Sequence, residues 1–523
     1  MNTLTIHVRH RCLILPVSGY VSPRKLRLTA GGRTVQELTV RLDYVHPTHR
    51  VFCDISAYHG QPLTLSTEPE VCLHDLQTDT PDEDLTQYAD FLPYVHFTPP
   101  FGWCNDPNGL LRYTSPVTGE TVYHMFYQHN PYDWIWGNMT WGHAVSRDLL
   151  HWEHRPPAIH PDERGTIFSG SGIVDRENRS GLKSGAEDPI LLFYTSAPDA
   201  APFTQCLAYS NDGGRTFEKY GKNPIVPNIL GANRDPKVIW CEELNAYVMA
   251  LYLDQHTYQL LTSGNLLDWT PLQRIELEGD AECPDFYPLN ANGDPSRRKW
   301  ILSGASMHYI VGDIVNGAFR PCQEARMLNY GGIHYAGQSY SGTERRLMMT
   351  WQRDTHFGSA PLCGQMSLPY EMQLRYDEGG YWMTAEPAGE IETLYRRTTA
   401  REAIALRPGA PLSLPLEESA YELRLLPEED GESFRIDIFG QELVIDGETH
   451  TLRVQEQTLP LSDGRENAEI RMILDKSSLE VFSCGGRALL SVSWMLDFNR
   501  RQCVLSSEDG ARIRSLTLTE LAL

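Results

Sequence analysis

Three of the 68 acidic side chains in this 523-residue chain stand out by their surroundings. Asp106 lies in Trp103-Cys104-Asn105-Asp106-Pro107-Asn108-Gly109, Asp235 in Asn233-Arg234-Asp235-Pro236-Lys237-Val238, and Glu282 in Ala281-Glu282-Cys283-Pro284-Asp285-Phe286-Tyr287. Proline and the Asx residues favour a turn, so Asn-Asp-Pro-Asn-Gly is expected to interrupt any helix or central strand. A carboxylate held on such a turn beside Trp103 suits attack on a sugar carbon, with the indole as a stacking face. Cleaving a glycosidic bond with retention needs two carboxyl groups roughly 5–5.5 Å apart. One must be ionised to attack, and the other must carry a proton for the leaving oxygen. Glu282, ahead of Cys-Pro and an aromatic run, is a candidate for the second role, although a solvated strand-end glutamate would have the same local sequence. Asp235, directly after Arg234, could equally be half of a structural ion pair.

The elements that must position these groups are strands. Forty-one Gly and 34 Pro spread among short apolar runs predict an all-β chain. Residues 1–90 carry alternating runs, the clearest being Leu38, Val40, Leu42 and Tyr44 with polar residues between them. They end in an acidic, turn-rich linker, Thr78 to Asp84, which makes 1–90 a β-rich, sandwich-like domain. Between 91 and 380, Ser146-Arg147-Asp148-Leu149-Leu150-His151-Trp152 is echoed by Ser210 to Phe217 and by Ser263 to Trp269. Each echo follows an apolar strand, and the spacings of 64 and 53 residues leave room for four strands and a loop. About five such units fit, which predicts a five-bladed β-propeller whose loops converge on one axial end. Residues 381–523 alternate again: Phe434, Ile436 and Ile438 cleanly, Ile470, Met472 and Leu474 less so because Ile473 intervenes. With turns expected at Asp446-Gly447 and Asp463-Gly464, they form a predicted C-terminal β-sandwich.

A formal charge of −23 argues against nucleic acid or an anionic membrane as partner, and a neutral sugar is compatible with it. The eleven cysteines are scattered with no Cys-x-x-Cys, as expected of reduced thiols. The first twenty residues hold no apolar run long enough for a secretory signal, and no 18-residue apolar stretch exists, so cytoplasmic residence is expected.

The acid-bearing motifs, with the His96-Phe97-Thr98-Pro99 lead-in to the first, resemble those of glycoside hydrolase family 32, the fructan and sucrose hydrolases. Phe126-Tyr127-Gln128, Trp136-Gly137-Asn138-Met139-Thr140-Trp141-Gly142-His143, Phe168-Ser169-Gly170-Ser171, the stretch Gln205 to Pro227 and Asp475 to Phe482 match in order, so the resemblance spans about 94–500. It implies a five-bladed propeller followed by a β-sandwich, with Asp106 as nucleophile, Glu282 as general acid/base and Asp235 as transition-state stabiliser. It further implies that Asn105, Gln128, Trp136, Phe168, Ser169, Arg234 and Trp351 bind substrate, and that neither metal nor organic cofactor takes part. The implied partner is a fructose-containing oligo- or polysaccharide. A fructosyltransferase would use the same acids, a silent fructan-binding protein would be expected to have lost one, and the arabinan- or xylan-cleaving five-bladed enzymes lack these motif contexts. Departures from the family pattern fall at Cys104, Asn329, His334 and Tyr370, of which the two fifth-blade changes would bear on the leaving-group side. Cys104 and Cys283 are expected to be packing residues. The N-terminal region resembles a β-rich extension found ahead of the propeller in some relatives, and it is where a homodimer contact would be sought.

Overall fold

The computed structural model describes residues 3–82, 86–428, 432–461 and 469–523. Five antiparallel sheets of four main strands each follow one another from Gly102 to Pro387, and every blade runs from an inner to an outer strand. The inner strands are Gly102–Thr114, Thr166–Val174, Arg234–Cys241, Asp285–Asn290 and His334–Ser339, and they touch one another in a ring. A short strand, Leu362–Met366, pairs with Arg346–His356 of the fifth blade and runs parallel to the start of Gly102–Thr114, tying the last blade to the first. The serine echoes mark equivalent hairpins. Ser146, Ser210 and Ser263 end the third strands of the first three blades, and their hydroxyls accept from the backbone N–H groups of Leu149, Gly214 and Leu266. That contact turns the chain into the outer strand, where Trp152, Phe217 and Trp269 pack inward.

One local expectation is overturned. Asn-Asp-Pro-Asn-Gly lies inside the innermost strand of the first blade rather than on a separate turn. The strand tolerates it because the pairing with Thr121–Asn130 skips register between Asn105 and Pro107 and again between Asn108 and Leu111. Proline is accepted at such a bulge, beyond the short pairing of Leu362 and Cys363 with Gly102 and Trp103.

The N-terminal region forms a four-stranded and a three-stranded sheet around Leu13, Leu26, Leu28, Val51, Leu63 and Leu65. Its alternating segment is a strand only to Val40; buried Leu42 bridges Val17 and joins the two sheets. Of the acidic linker, Glu83 and Asp84 lie outside the described residues.

The outer strand of the fifth blade reaches Pro387, so the division from the C-terminal sandwich falls at 388–394, beyond the 380 expected. The sandwich is two six-stranded sheets with one continuous apolar core. Ile473 has its own explanation. Ile470, Met472 and Leu474 enter that core, whereas Ile473 faces the other way, with Phe482 and Leu489, into a second core shared with the propeller. A sheet buried on both faces loses its alternation. The Asp463-Gly464 turn lies outside the described residues.

Candidate active site

The inner strands bring their N-terminal ends to one axial mouth, where a cavity of about 280 Å³ opens. Asn105, Asp106, Gln128, Trp136, Phe168, Ser169, Arg234, Asp235, Glu282 and Trp351 all line it, so every residue expected to act in catalysis or to bind substrate meets here. The remaining lining residue, Tyr335, was not anticipated. Its nearest signal was the fifth-blade departure next to it, at His334.

Asp106 is held by two donors. Asn105 Nδ2 lies 2.9 Å from Oδ1, and Ser169 Oγ lies 2.6 Å from Oδ2. The amide is oriented by Trp103, whose indole N–H donates to Asn105 Oδ1 at 2.7 Å and so turns the NH₂ toward the carboxylate. Ser169 reaches across from the second blade at a bulge where Gly170 passes close to its neighbour strand. A Cβ on Gly170 would sit 1.9 Å from the Phe193 carbonyl oxygen, so no other residue fits.

Asp235 and Glu282 both adopt left-handed backbone, φ 63° and 57°, and Cys283 follows at φ 34°. Non-glycine residues held there store strain, a common mark of functional sites. The Cys283 N–H donates to Asp235 Oδ2 at 3.0 Å, and its thiol lies 3.5 Å from Asp235 Oδ2 and 3.6 Å from Asp106 Oδ2. Cys283 is therefore more than packing: it touches two of the three carboxylates. Cys104 is buried in an apolar cluster, as expected, and all eleven cysteines are free thiols.

Arg234 is not chiefly the partner of its neighbour in sequence. Its Nη2 lies 2.5 Å from Glu282 Oε1, whereas its Nε is 3.7 Å from Asp235 Oδ2. Glu282 Oε2 accepts from the Tyr335 hydroxyl at 2.6 Å. Tyr252 supports the guanidinium from one side, 4.7 Å below it.

Burial pushes the Asp106 carboxyl above its usual range, with the charge of Glu282 adding to the rise and the hydrogen bonds from Ser169 and Asn105 opposing it. Burial likewise pushes Asp235 up to about 7, against Arg234 and with Asp106. The charge of Asp106 thus adds to the rise at Asp235, coupling those two carboxyl groups. Burial and the Glu282 charge also raise the Tyr335 phenol, and burial raises the Cys283 thiol, so both stay protonated as donors.

The fifth-blade departures lie behind the cavity rather than in it. His334 contacts Thr350 Oγ1 at 2.7 Å and the Tyr370 hydroxyl at 3.2 Å, and that hydroxyl donates to Glu480 of the sandwich at 2.7 Å. Asn329 braces the turn before them by accepting from the Gly331 N–H. These residues belong to the domain interface and do not line the cavity.

Residues 96–385 match the model described as the glycosyl hydrolases family 32 N-terminal domain. A levanase of Bacillus subtilis is 33% identical over 485 residues, an alignment covering 83% of this chain and 70% of the levanase. An invertase of Schizosaccharomyces pombe is 38% identical over 272 residues, covering 47% of this chain and 46% of the invertase. Among solved structures, an exo-inulinase from Aspergillus awamori superposes with a TM-score of 0.71 at 23% identity, covering 83% of this chain and 98% of its own. A fructofuranosidase from Schwanniomyces occidentalis complexed with fructose gives 0.72 at 24% identity, covering 83% and 99%. These two likenesses establish the shared fold of propeller and sandwich.

Proposed function

The chain belongs to glycoside hydrolase family 32, and from that premise we propose that it is a retaining β-fructofuranosidase acting on sucrose, fructo-oligosaccharides or fructans. Asp106 attacks C2 of a fructosyl unit while the bond from C2 to the leaving oxygen breaks, and Glu282 gives that oxygen its proton. In the second half, Glu282 takes a proton from water, the water oxygen bonds C2, and Asp106 is released. Asp235 holds the ring through both halves and offsets the positive charge that develops on it.

The observation that carries this reading is the convergence of three carboxylates from the first, third and fourth blades on one cavity, each with donors of the right sense. Asn105 and Ser169 fix the attacking carboxylate. Arg234 and Tyr335 offer one donor to each oxygen of Glu282, which fixes the direction in which its carboxyl group faces. The levanase, invertase and exo-inulinase names among the similar proteins support a fructosyl substrate.

Incubation with sucrose, inulin and levan, with products resolved by chromatography, tests the proposal. Fructose alone from one polymer means exo-hydrolysis and names the linkage; an oligomer ladder means endo cleavage. Oligosaccharides longer than sucrose, formed from sucrose, would mean transfer rather than hydrolysis. Glu282→Gln is expected to lose about 10²–10⁴ in turnover, the usual worth of a general acid/base, and Asp106→Asn to fall to background. Wild-type rates in either variant overturn the assignment.

A further inference from the structure

The nine-residue loop 131–139, which joins the second and third strands of the first blade, carries Trp136 to the cavity wall. Trp136 is 56% exposed, and its only ring partner among the described residues is Phe168, edge-on at 5.9 Å. The rest of the loop is gripped by the N-terminal sandwich. Tyr132 is buried in that domain's core, where Gln36 Nε2 donates to its hydroxyl at 3.0 Å. Trp134 packs against His49 edge-on at 5.5 Å and lies beneath the Arg41 guanidinium at 4.2 Å. Between the two aromatics, Asp133 takes a bidentate pair from Arg41, with Nε at 2.7 Å, and both side chains are largely buried. Two residues beyond Trp136, Asn138 clasps the backbone of Thr39 from both sides: its Nδ2 donates to the Thr39 carbonyl and its Oδ1 accepts the Thr39 N–H, each at 2.8 Å. Asn138 has φ 45°, a conformation asparagine and glycine accept most readily. Trp136 thus lies between two anchors, Asp133 and Asn138, that both end on the strand Arg33–Val40 and its extension.

We propose that the N-terminal sandwich is a positioning module for the substrate pocket, setting Trp136 through Arg41 and Thr39 so that the indole meets the apolar face of a bound sugar already in place. This rests on the fructosidase reading of the cavity. The physical reason is entropic. Without these clasps the loop would be held from the propeller mainly by Asn130, which donates to the Ile135 carbonyl at 2.8 Å and accepts from the Tyr132 N–H at 3.1 Å, and the remaining ordering at the moment of binding is subtracted from affinity. The contribution is to ground-state binding rather than to bond breaking, so it falls on KM.

The test uses the full chain and whichever of sucrose, inulin or levan it cleaves. Asn138→Gly removes the clasp and keeps the left-handed backbone. It is expected to raise KM about tenfold, the scale on which a single stacking surface contributes to sugar binding, with kcat within about twofold. Trp136→Ala is expected to raise KM comparably, and adding Asn138→Gly to it should raise KM no further, because both act through one side chain. A wild-type KM in Asn138→Gly, or effects that add in full, overturns the proposal. Should Asn138→Gly fail to fold, the pair Arg41→Gln with Asp133→Asn, which leaves no buried charge unpaired, takes its place with the same expected outcomes. Asp106→Asn in the same assay separates the two levels: its retained activity sinks the fructosidase reading, whereas the KM pattern bears only on the positioning role.

Discussion

The two β-sandwiches that flank the propeller each stand behind one tryptophan of the cavity wall, and they do so with different chemistry. The N-terminal one holds the loop of Trp136 by a rim clasp: one ion pair, one two-sided amide contact and two aromatic rings. The C-terminal one grips the strand Arg346–His356, on which Trp351 faces the cavity and the next residue, Gln352, donates to Glu480 from the opposite face. Around Glu480 the interface is charged and entirely buried. Asp475 accepts from the backbone N–H groups of Tyr94, Val95 and His96 and contacts His96 Nδ1 at 2.8 Å, while His96 Nε2 lies 3.4 Å from Glu480. Burial disfavours the charged imidazole, but the hydrogen bonds and charges of Asp475 and Glu480 prevail and push His96 up to about 9. Nearby His334, with weaker compensation, is pushed down to about 4 by burial and stays neutral. A buried charge cluster is costly to break, whereas the amide contact of Asn138 with Thr39 is cheap to break and close to substrate. The first secures the fold and the second tunes binding.

The largest effect should come from breaking the C-terminal contact. Asp475→Ala leaves the His96 cation facing only Glu480 and strands four backbone donors, those of Tyr94, Val95, His96 and Lys476, and it is expected to cost about 3–5 kcal/mol, as for other broken buried pairs, measured by denaturant unfolding. An unchanged midpoint would remove the contrast between the two sandwiches.

Next in size is a pH dependence with two separable windows. His96 has a folded pKa of about 9 against an ordinary 6.5, so its stabilisation is complete below 6.5 and is lost as pH rises to 9. Asp235, with about 7 against an ordinary 3.8, binds its proton more tightly when folded, so its contribution also falls as pH rises from 3.8 to 7. The buried neutral histidines His124, His129 and His334, each pushed down to about 4, oppose Asp235 by making stability rise over the lower window, so melting temperatures should decline with pH only in the upper one. Asp235→Asn should steepen the rise in the lower one and His96→Gln should flatten the fall in the upper; the reverse pattern would refute the assignment of charges.

Asn138→Gly should cost only about 1 kcal/mol of stability, the net worth of a typical hydrogen-bonded contact, while carrying the KM effect described above. A loss as large as that of Asp475→Ala would mean that the N-terminal sandwich also secures the fold. The smallest expected change is that of Cys283→Ser. A hydroxyl donates more strongly than a thiol to Asp106 and Asp235 and should favour their anions, moving the acidic limb of the kcat/KM profile to lower pH. A limb that moves up would place the Cys283 side chain outside the carboxylate network.

How much of this was legible beforehand differs by residue. Ten cavity-lining residues could be named because their motifs resemble those of glycoside hydrolase family 32, with local chemistry alone singling out only the contexts of the three acids. Strand alternation and the serine echoes revealed the three-part β architecture, since period-two burial and side-chain turns are properties of short segments. The bulged strand at Asp106 was mistaken for a turn because the same residues serve both, and only the pairing with Thr121–Asn130 distinguishes them. Tyr335 was missed because a lone tyrosine in a strand has no local signature of its task.

What the amino-acid order determined alone was the set of acids and the β character of each region. That Arg234 turns to Glu282, 48 residues on, rather than to the adjacent Asp235, was decided by the closed ring of blades. So were the reach of Cys283 to Asp106 across 177 positions and the backing of Trp136 by a domain that ends some fifty residues before it. Such partnerships depend on which strand ends meet at the axis and which surfaces dock. Those relations arise from packing over long chain separations, where the pattern of neighbouring residues no longer specifies which groups will touch.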